Sequence, residues 1–495
     1  MRPPRSRRRS LLMGHCALLL VAVCLAVEFW PTDGLQAYQD RSRPELRLGR
    51  DEITRRNAAF IRMGLLAMSS KFCPPEELAA DTPAALALYG QPCPPPAAGR
   101  LQQNLPPSTA LLPPASTPLP EGVVTISLVC RSVDLFHPDH GIVEHPLERG
   151  RESERPAWLT ARQGGKILVE SPVGLRIHGG HTRSTPDKSF SLVFREDYGG
   201  RPSSPAGLFF GPETPPMEHV ILMNASHPSR FNSALATELA AQAGCHVSRS
   251  APAVVYLNGT EIKAPFFVYE HQSPDFLSRR FGLRDAEWVR LKAQEKEDNE
   301  AYVEWRRWIR RPRNPIMMPE EAARFDLQAL NSWVLAITFT GTGDNNQGAY
   351  FRDRSDPLAV WQTLTWDLDW AFDEVEHMIG GRAVNHSRRP FDGLLGDRGR
   401  LFHRLYENSA EYRSSYRQFA ESKLGQELSR EKVMAVVGKY EKLAREHPSS
   451  SPRLLEVMKR TRAYLERRHD EYFPLLDTHT AKVLQMNPAK PLAER

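Results

Sequence analysis

The sequence predicts an α+β protein in which a strand-rich part precedes a helical part, and three observations carry that expectation. Beginning at Gly122, four segments (VVTISLVCRS, GKILVES, VGLRIHGG and KSFSLVFRE) are short, apolar-patterned and separated by turn residues, as strands are. After Asp326, Leu327, Leu330, Val334 and Ile337 recur with the period of one helical face. From about Leu401 onward the chain reads as amphipathic helices rich in Arg, Glu and Leu.

At 495 residues the chain has room for one large or two moderate domains plus extensions. A composition of 41% hydrophobic and 25% charged residues suits a globular protein. The 41 prolines exceed a background of about 5% and cluster, most densely between Gln91 and Glu121, which reads as a linker. At the N-terminus a basic stretch, MRPPRSRRRS, precedes an uncharged apolar run from Leu11 to Val27. That pattern is an export signal, and its length leaves both a cleaved signal peptide and an uncleaved membrane anchor open. The basic flank stays inside, so everything after Trp30 is expected to be extracytoplasmic, secreted or anchored through this segment.

Export permits disulfides, and Cys73 with Cys93 is the better candidate pair among Cys73, Cys93, Cys130 and Cys245. The net charge of +6 is modest, and no basic stripe interleaved with aromatics appears, which sets nucleic acid aside as a partner. The expected organisation is a signal or anchor (1–30), an N-terminal extension (31–90), the Pro-rich linker (91–121), a strand-rich part (122–275), a helical part (276–480) and a tail (481–495).

Within this frame Asn232 is expected to cap a helix, SALATELAAQAG, that stops at Gly244. PAVVYLNGT and APFFVYEH follow as two strands, and Asn258-Gly259 between them signals a hairpin. SPDFLSRRFG reads as a short helix, and the Trp-rich segment from Arg284 to Pro319 as irregular or helical. The helix capped by Asp326 ends at the glycines of GTG; then come the loop DNNQ, the strands GAYFRD and VWQTLTW, and Asp367.

Strands, a helix, a strand hairpin, a long helix, an Asp-bearing loop, two strands and a second Asp follow the order of parts in a protein kinase. Phosphoryl transfer needs a divalent cation on the phosphates and a carboxylate to orient the attacking hydroxyl and accept its proton. Asp344 is the expected base, and Asp367 the expected metal ligand. Asp369 lies two positions on and points to the same side if that segment stays extended. The amides of Asn345, Asn346 or Gln347 could complete the metal shell.

Four segments in register make the likeness more specific: GLRIHGGHTRSTPDKSFSLVF, LMNASHPSRFNSALATELAAQAG, VVYLNGTEIKAPFFVYEHQSPDFLSRRFG, and GTGDNNQGAYFRD followed by LTWDLDWAF. Between Val123 and Phe372 the chain resembles the spore-coat CotH family of atypical kinases. The resemblance implies a divergent bilobal fold, a β-rich nucleotide lobe before a helical lobe, and transfer of phosphate from ATP with Mg²⁺ or Mn²⁺ to Ser/Thr of an exported or envelope protein. It also implies Asp344 as the catalytic-loop aspartate and Asp367 as the metal aspartate.

On the nucleotide side, Lys188 and Arg183 are the expected phosphate contacts, Glu238 the expected helix partner of Lys188, and Glu270 the expected adenine or ribose contact. The run His178-Gly179-Gly180-His181 is not the Gly-x-Gly-x-x-Gly of ordinary kinases and suits a plain hairpin turn as well as a phosphate loop. The histidines, His227 and His271 included, show no metal-ligand spacing. Gln347 stands where the family usually carries an asparagine, which leaves two further readings open: a catalytically silent surface scaffold, or transfer of another group such as AMP or glutamate.

Overall fold

The computed structural model describes residues 119–137, 141–291, 299–310, 322–372, 376–379 and 382–486. The expected export segment, the expected extension, nearly all of the expected linker, Cys73 and Cys93 lie outside the described residues. Cys130 and Cys245 are buried free thiols.

The first half builds a closed sheet. Strands β1 (Val124–Val129), β2 (Arg155–Gln163), β3 (Lys166–His178), β4 (Ser189–Val193) and β5 (His219–Asn224) pair in chain order. Strands β7 (Ser250–Leu257) and β9 (Phe266–Glu270) complete the ring, because β5 pairs with β9, β9 with β7, and β7 runs parallel to β1. Between β5 and β7 the chain forms a helix, α2 (Pro228–Ala243), and the two-residue strand β6 (His246–Val247); a short α1 (Ser132–Phe136) follows β1. Alternation sends Ile126, Leu159, Leu175, Ile177, Phe190, Leu192, Val220, Leu222, Val255 and Val268 into one apolar core inside the ring.

The expected strands GKILVES and VGLRIHGG are one strand of 13 residues, β3. Pro172 does not break it, since pairing with β4 begins only at Gly174. Strands β2 and β5 had no counterpart among the strands expected from patterning. The turn at Asn258-Gly259 is present with both residues at positive φ, 50° and 80°, and joins β7 to the short β8 (Thr260–Glu261) before β9 returns antiparallel to β7. The cap expected at Asn232 is corrected: α2 begins a turn earlier, with Pro228 in its first turn and His227 accepting from the Ser229 N–H. Asn232 is instead buried and accepts from the Thr461 hydroxyl at 3.2 Å.

The second half is helical around a small sheet. Ser273 caps α3 (Pro274–Phe281), the short helix expected there, and Asp326 caps α5 (Leu327–Thr340), as read from the sequence, by accepting from the Ala329 N–H at 2.9 Å. The Trp-rich segment supplies β10 (Ala286–Arg290) and α4 (Glu300–Arg310). With β11 (Ala349–Asp353) and β12 (Gln362–Thr365), these strands form a sheet in the order β10-β11-β12-β6. Helix α5 is buried all round from Ala329 to Thr340, so it is the axis of this half rather than a one-faced surface helix. Against it pack α6 (Gly396–Asn408), α7 (Ala410–Gly425) and α9 (Pro452–Met486), while α8 (Arg430–Glu446) packs on α9 and α2. The strands β13 (Glu376–Ile379) and β14 (Arg382–Asn385) pair with each other as a separate ribbon.

Candidate functional site

Two loops from distant parts of the chain are sewn together at the end of α5. Gly341 ends the helix in the left-handed conformation (φ 63°), turning the chain into the loop that carries Asp344. The Gly343 N–H donates to the Trp370 carbonyl at 3.2 Å, and the Phe372 N–H donates to the Thr340 carbonyl at 2.8 Å. These two backbone bonds fix the segment from Asp367 to Phe372 beside the Asp344 loop.

Three carboxylates converge as a result. Burial, then the negative charges of Asp367 and Asp344, push the Asp369 pKa up to about 8, while Arg230 in the first turn of α2 opposes the shift. Asp369 was expected to share a side with Asp367 through an extended backbone. The proximity is real but its reason differs, because Asp367 sits at φ 62° and the chain turns there. Burial and the charge of Asp367 together push the Tyr269 phenol up, which sets Asp367 against the outer side of β9. The Asp344 carboxylate accepts from Gln347 Nε2 at 2.9 Å.

The rest of the Asp344 loop is anchored from below. Asn345 is buried, donates to the carbonyls of Thr342 and Gly393 at 3.0 and 2.9 Å, and accepts from the Leu395 N–H at 2.8 Å. With its amide committed in this way it is not a metal ligand. The Arg398 guanidinium, fully buried, donates to the carbonyls of Asn345 and Gln347 at 2.9 and 2.7 Å and to Thr363 Oγ1 at 2.9 Å. It lies 4.4 Å from the centre of the Trp333 ring on α5. One buried cation thus ties the Asp344 loop, β12 and α5 together. Asn346 sits against Gly396 so closely that a Cβ there would meet its Oδ1.

Asp367 lies against the outward side of the closed sheet at Tyr269. Residues alternating with the core positions are Arg176 and His178 on β3, Ser189 and Ser191 on β4, His219, Ile221 and Met223 on β5, and Tyr269 on β9, with His271 just beyond. His219 and His271 stack at 3.6 Å between ring centres, and His178 Nδ1 lies 3.1 Å from the Ser191 hydroxyl. This polar wall beside a triad of acids is a surface on which a polar ligand can lie.

The side chains expected to meet a nucleotide are differently engaged. Arg183 is buried and donates to the carbonyls of Gly179, Pro146 and Glu148, so it locks the loop in place and does not reach outward. Lys188 donates to the Arg183 carbonyl, and burial lowers its pKa to about 8. The expected Lys188–Glu238 pair does not form, because Glu238 faces α8 and pairs with Lys439 at 2.7 Å. Glu270 accepts from the Arg249 N–H at 2.8 Å and belongs to the inward-pointing set of β9, which turns its carboxylate from the outer wall. Sequence reasoning passed over Arg230, Arg398, Tyr269 and the paired imidazoles. The available signal was alternation along β5 and β9, which marks outward residues once the inward ones are known.

Among the described residues no group of three or more His, Cys, Asp or Glu has the arrangement of a self-sufficient metal cage. That is compatible with Mg²⁺, which takes one or two carboxylates and fills its remaining positions with water and substrate phosphates. The mutual repulsion that raises Asp369 is the kind of donor set a divalent cation relieves.

A family model described as CotH kinase protein matches residues 175–470, a span holding both aspartate loops, and the chain belongs to that family. It is thereby a kinase-like protein. The crystal structure of a Helicobacter pylori proinflammatory kinase, CtkA, is similar with 11% identity and a TM-score of 0.29, covering 60% of this chain and 95% of that one. No curated protein matches the chain.

Proposed function

We propose that the protein is an exported atypical kinase of divergent bilobal fold that transfers the γ-phosphate of Mg·ATP to Ser or Thr of extracytoplasmic proteins. The observation that carries the reading is that backbone bonds sew the Asp344 and Asp367–Phe372 loops together, with the charges of Asp344 and Asp367 acting on Asp369 and Asp367 lying beside Tyr269 of the sheet. In this reading Asp367 and Asp369 hold the cation, which when bound neutralises phosphate charge. Asp344, steadied by Gln347, orients the acceptor hydroxyl and takes its proton. Arg230 supplies fixed positive charge beside Asp369, while Lys188 braces the loop that carries Arg183 through that residue's carbonyl. The wall of Ile221, Met223 and Tyr269 offers apolar and aromatic surface for a base, with Ser191 and the imidazoles as polar contacts. Asn346 is left as a further contact at the edge of the loop.

The test is incubation of the full chain with Mg²⁺ and either γ-labelled or α-labelled ATP, alongside Asp344→Asn and Asp367→Asn. Expected is γ-label on protein, lost by at least about 1,000-fold in either variant while both melt as the parent does. Label from the α position would assign nucleotidyl transfer instead. No label, with no thermal shift on adding Mg·ATP, would leave a scaffold.

A further inference from the structure

Beside Asp369, between the start of α2, the 369–372 segment and α9, lies a cavity of about 630 Å³. Val457, Thr461 and Tyr464 of α9 line it, and Thr461 is held to α2 through Asn232. Arg453, Arg460 and Arg467 line it too, seven residues apart and all exposed. Seven residues are two helical turns less about 20°, so the three guanidinium groups form one stripe with a rise of about 10 Å between neighbours. His227 lowers its pKa through burial and next through Arg453, which places Arg453 at the α2 end of the stripe. Arg467 also pairs with Glu471 at 3.3 Å. Among the described residues lining the cavity, Asp369 is the one carboxylate, at the end nearest the acidic triad.

We propose that this cavity is the docking site of the acceptor protein, and that it selects an extended segment carrying acidic residues on one side of the phosphorylated Ser or Thr. The inference rests on the kinase reading above. An extended segment in the polyproline II conformation has three residues per turn and rises about 9 Å in three residues, close to the arginine spacing, so Asp or Glu at every third position lies on one face and meets the stripe. The apolar floor receives the intervening side chains. Exposed arginine–carboxylate pairs contribute modestly one by one, but three in a row bias both encounter and register.

Binding is read first, without nucleotide, by fluorescence anisotropy of a labelled Ser peptide bearing Glu at every third position, against the same peptide with Gln or Lys. The full chain is expected to bind the Glu peptide about 10- to 100-fold more tightly, with the preference shrinking as salt shortens the Debye length. The triple charge reversal Arg453→Glu, Arg460→Glu, Arg467→Glu is expected to abolish that preference, and the triple Lys variant to retain most of it. In the γ-phosphate assay the reversal is expected to raise KM for the Glu peptide about 10-fold or more with KM for ATP unchanged. Equal binding of all three peptides, or equal competition by heparin, would overturn the assignment. So would a reversal that lowers the melting temperature without altering preference, since the arginines would then serve only the chain's own carboxylates. Phosphorylation that ignores flanking acids would sink this site and leave the kinase reading standing. Tight arginine-dependent binding with no transfer would do the reverse.

Discussion

Replacing Arg398 with Met tests whether the Asp344 loop is held from beneath. Burial pulls the guanidinium pKa down to about 10, which corresponds to a cost of about 3 kcal/mol on keeping the charge there. Against this stand three close hydrogen bonds to Asn345, Gln347 and Thr363, each worth about 1.5–3 kcal/mol when the donor is charged, and the ring of Trp333. The balance favours the arginine by about 2–5 kcal/mol. Met fills similar volume and removes the charge, but it leaves the two loop carbonyls facing an apolar side chain. Urea denaturation of Arg398→Met should therefore show a loss of about 2–5 kcal/mol. The surviving folded fraction should transfer phosphate about 100-fold more slowly, because a displacement near 1 Å of a reacting group costs that much. Arg398→Lys keeps a charge but has no planar fork to span two carbonyls and a hydroxyl, so it should recover stability better than rate. Stability and kcat both unchanged in Arg398→Met would refute the argument; a change in stability alone would reduce Arg398 to a packing residue.

Two other perturbations follow from the same geometry. Gly348, which joins the Asp344 loop to β11, has φ 129°, and a Cβ there would lie 2.3 Å from the Leu364 carbonyl oxygen. Gly348→Ala should cost at least about 2–4 kcal/mol by thermal or urea melting, since backbone rather than a flexible side chain must yield. The histidine wall makes a pH prediction. Burial first, then neighbouring imidazoles and arginines (Arg176 on β3, Arg183, and Arg290 on β10), holds His178 down to about 3, His271 to about 4 and His219 well below its ordinary range. In the unfolded chain each accepts a proton near 6.5, so between about 6.5 and 4 the unfolded state binds more protons and stability falls as pH drops. The slope approaches about 1.4 kcal/mol per pH unit for each histidine, and His271→Phe should lower it by about one proton. Urea midpoints that stay level between pH 7 and 5 would contradict this.

Local chemistry made much of the architecture legible. Asp326 announced its helix because a capping side chain acts within three residues of itself. Asn258-Gly259 announced its turn because few residues tolerate two successive positive φ angles. The aspartate loops could be placed in order along the chain because a helix and two short strands have readable periods. Strand β2 was missed: Pro156 and mixed polarity hide its alternation, and its inward residues Ala157, Leu159 and Ala161 make sense only inside a closed sheet.

The sequence by itself determined the α+β composition, the order of the elements it did reveal and which acids sit on loops, since these depend on residues close together along the chain. Tertiary structure alone decided which partners those residues take. It gave Glu238 to Lys439 instead of Lys188, turned Glu270 inward, committed Asn345 to carbonyls, and set Arg398 beneath a loop some fifty residues away. The reason is physical: long polar side chains choose partners by burial and proximity in space, and neither quantity exists until the sheet closes and α5 is surrounded.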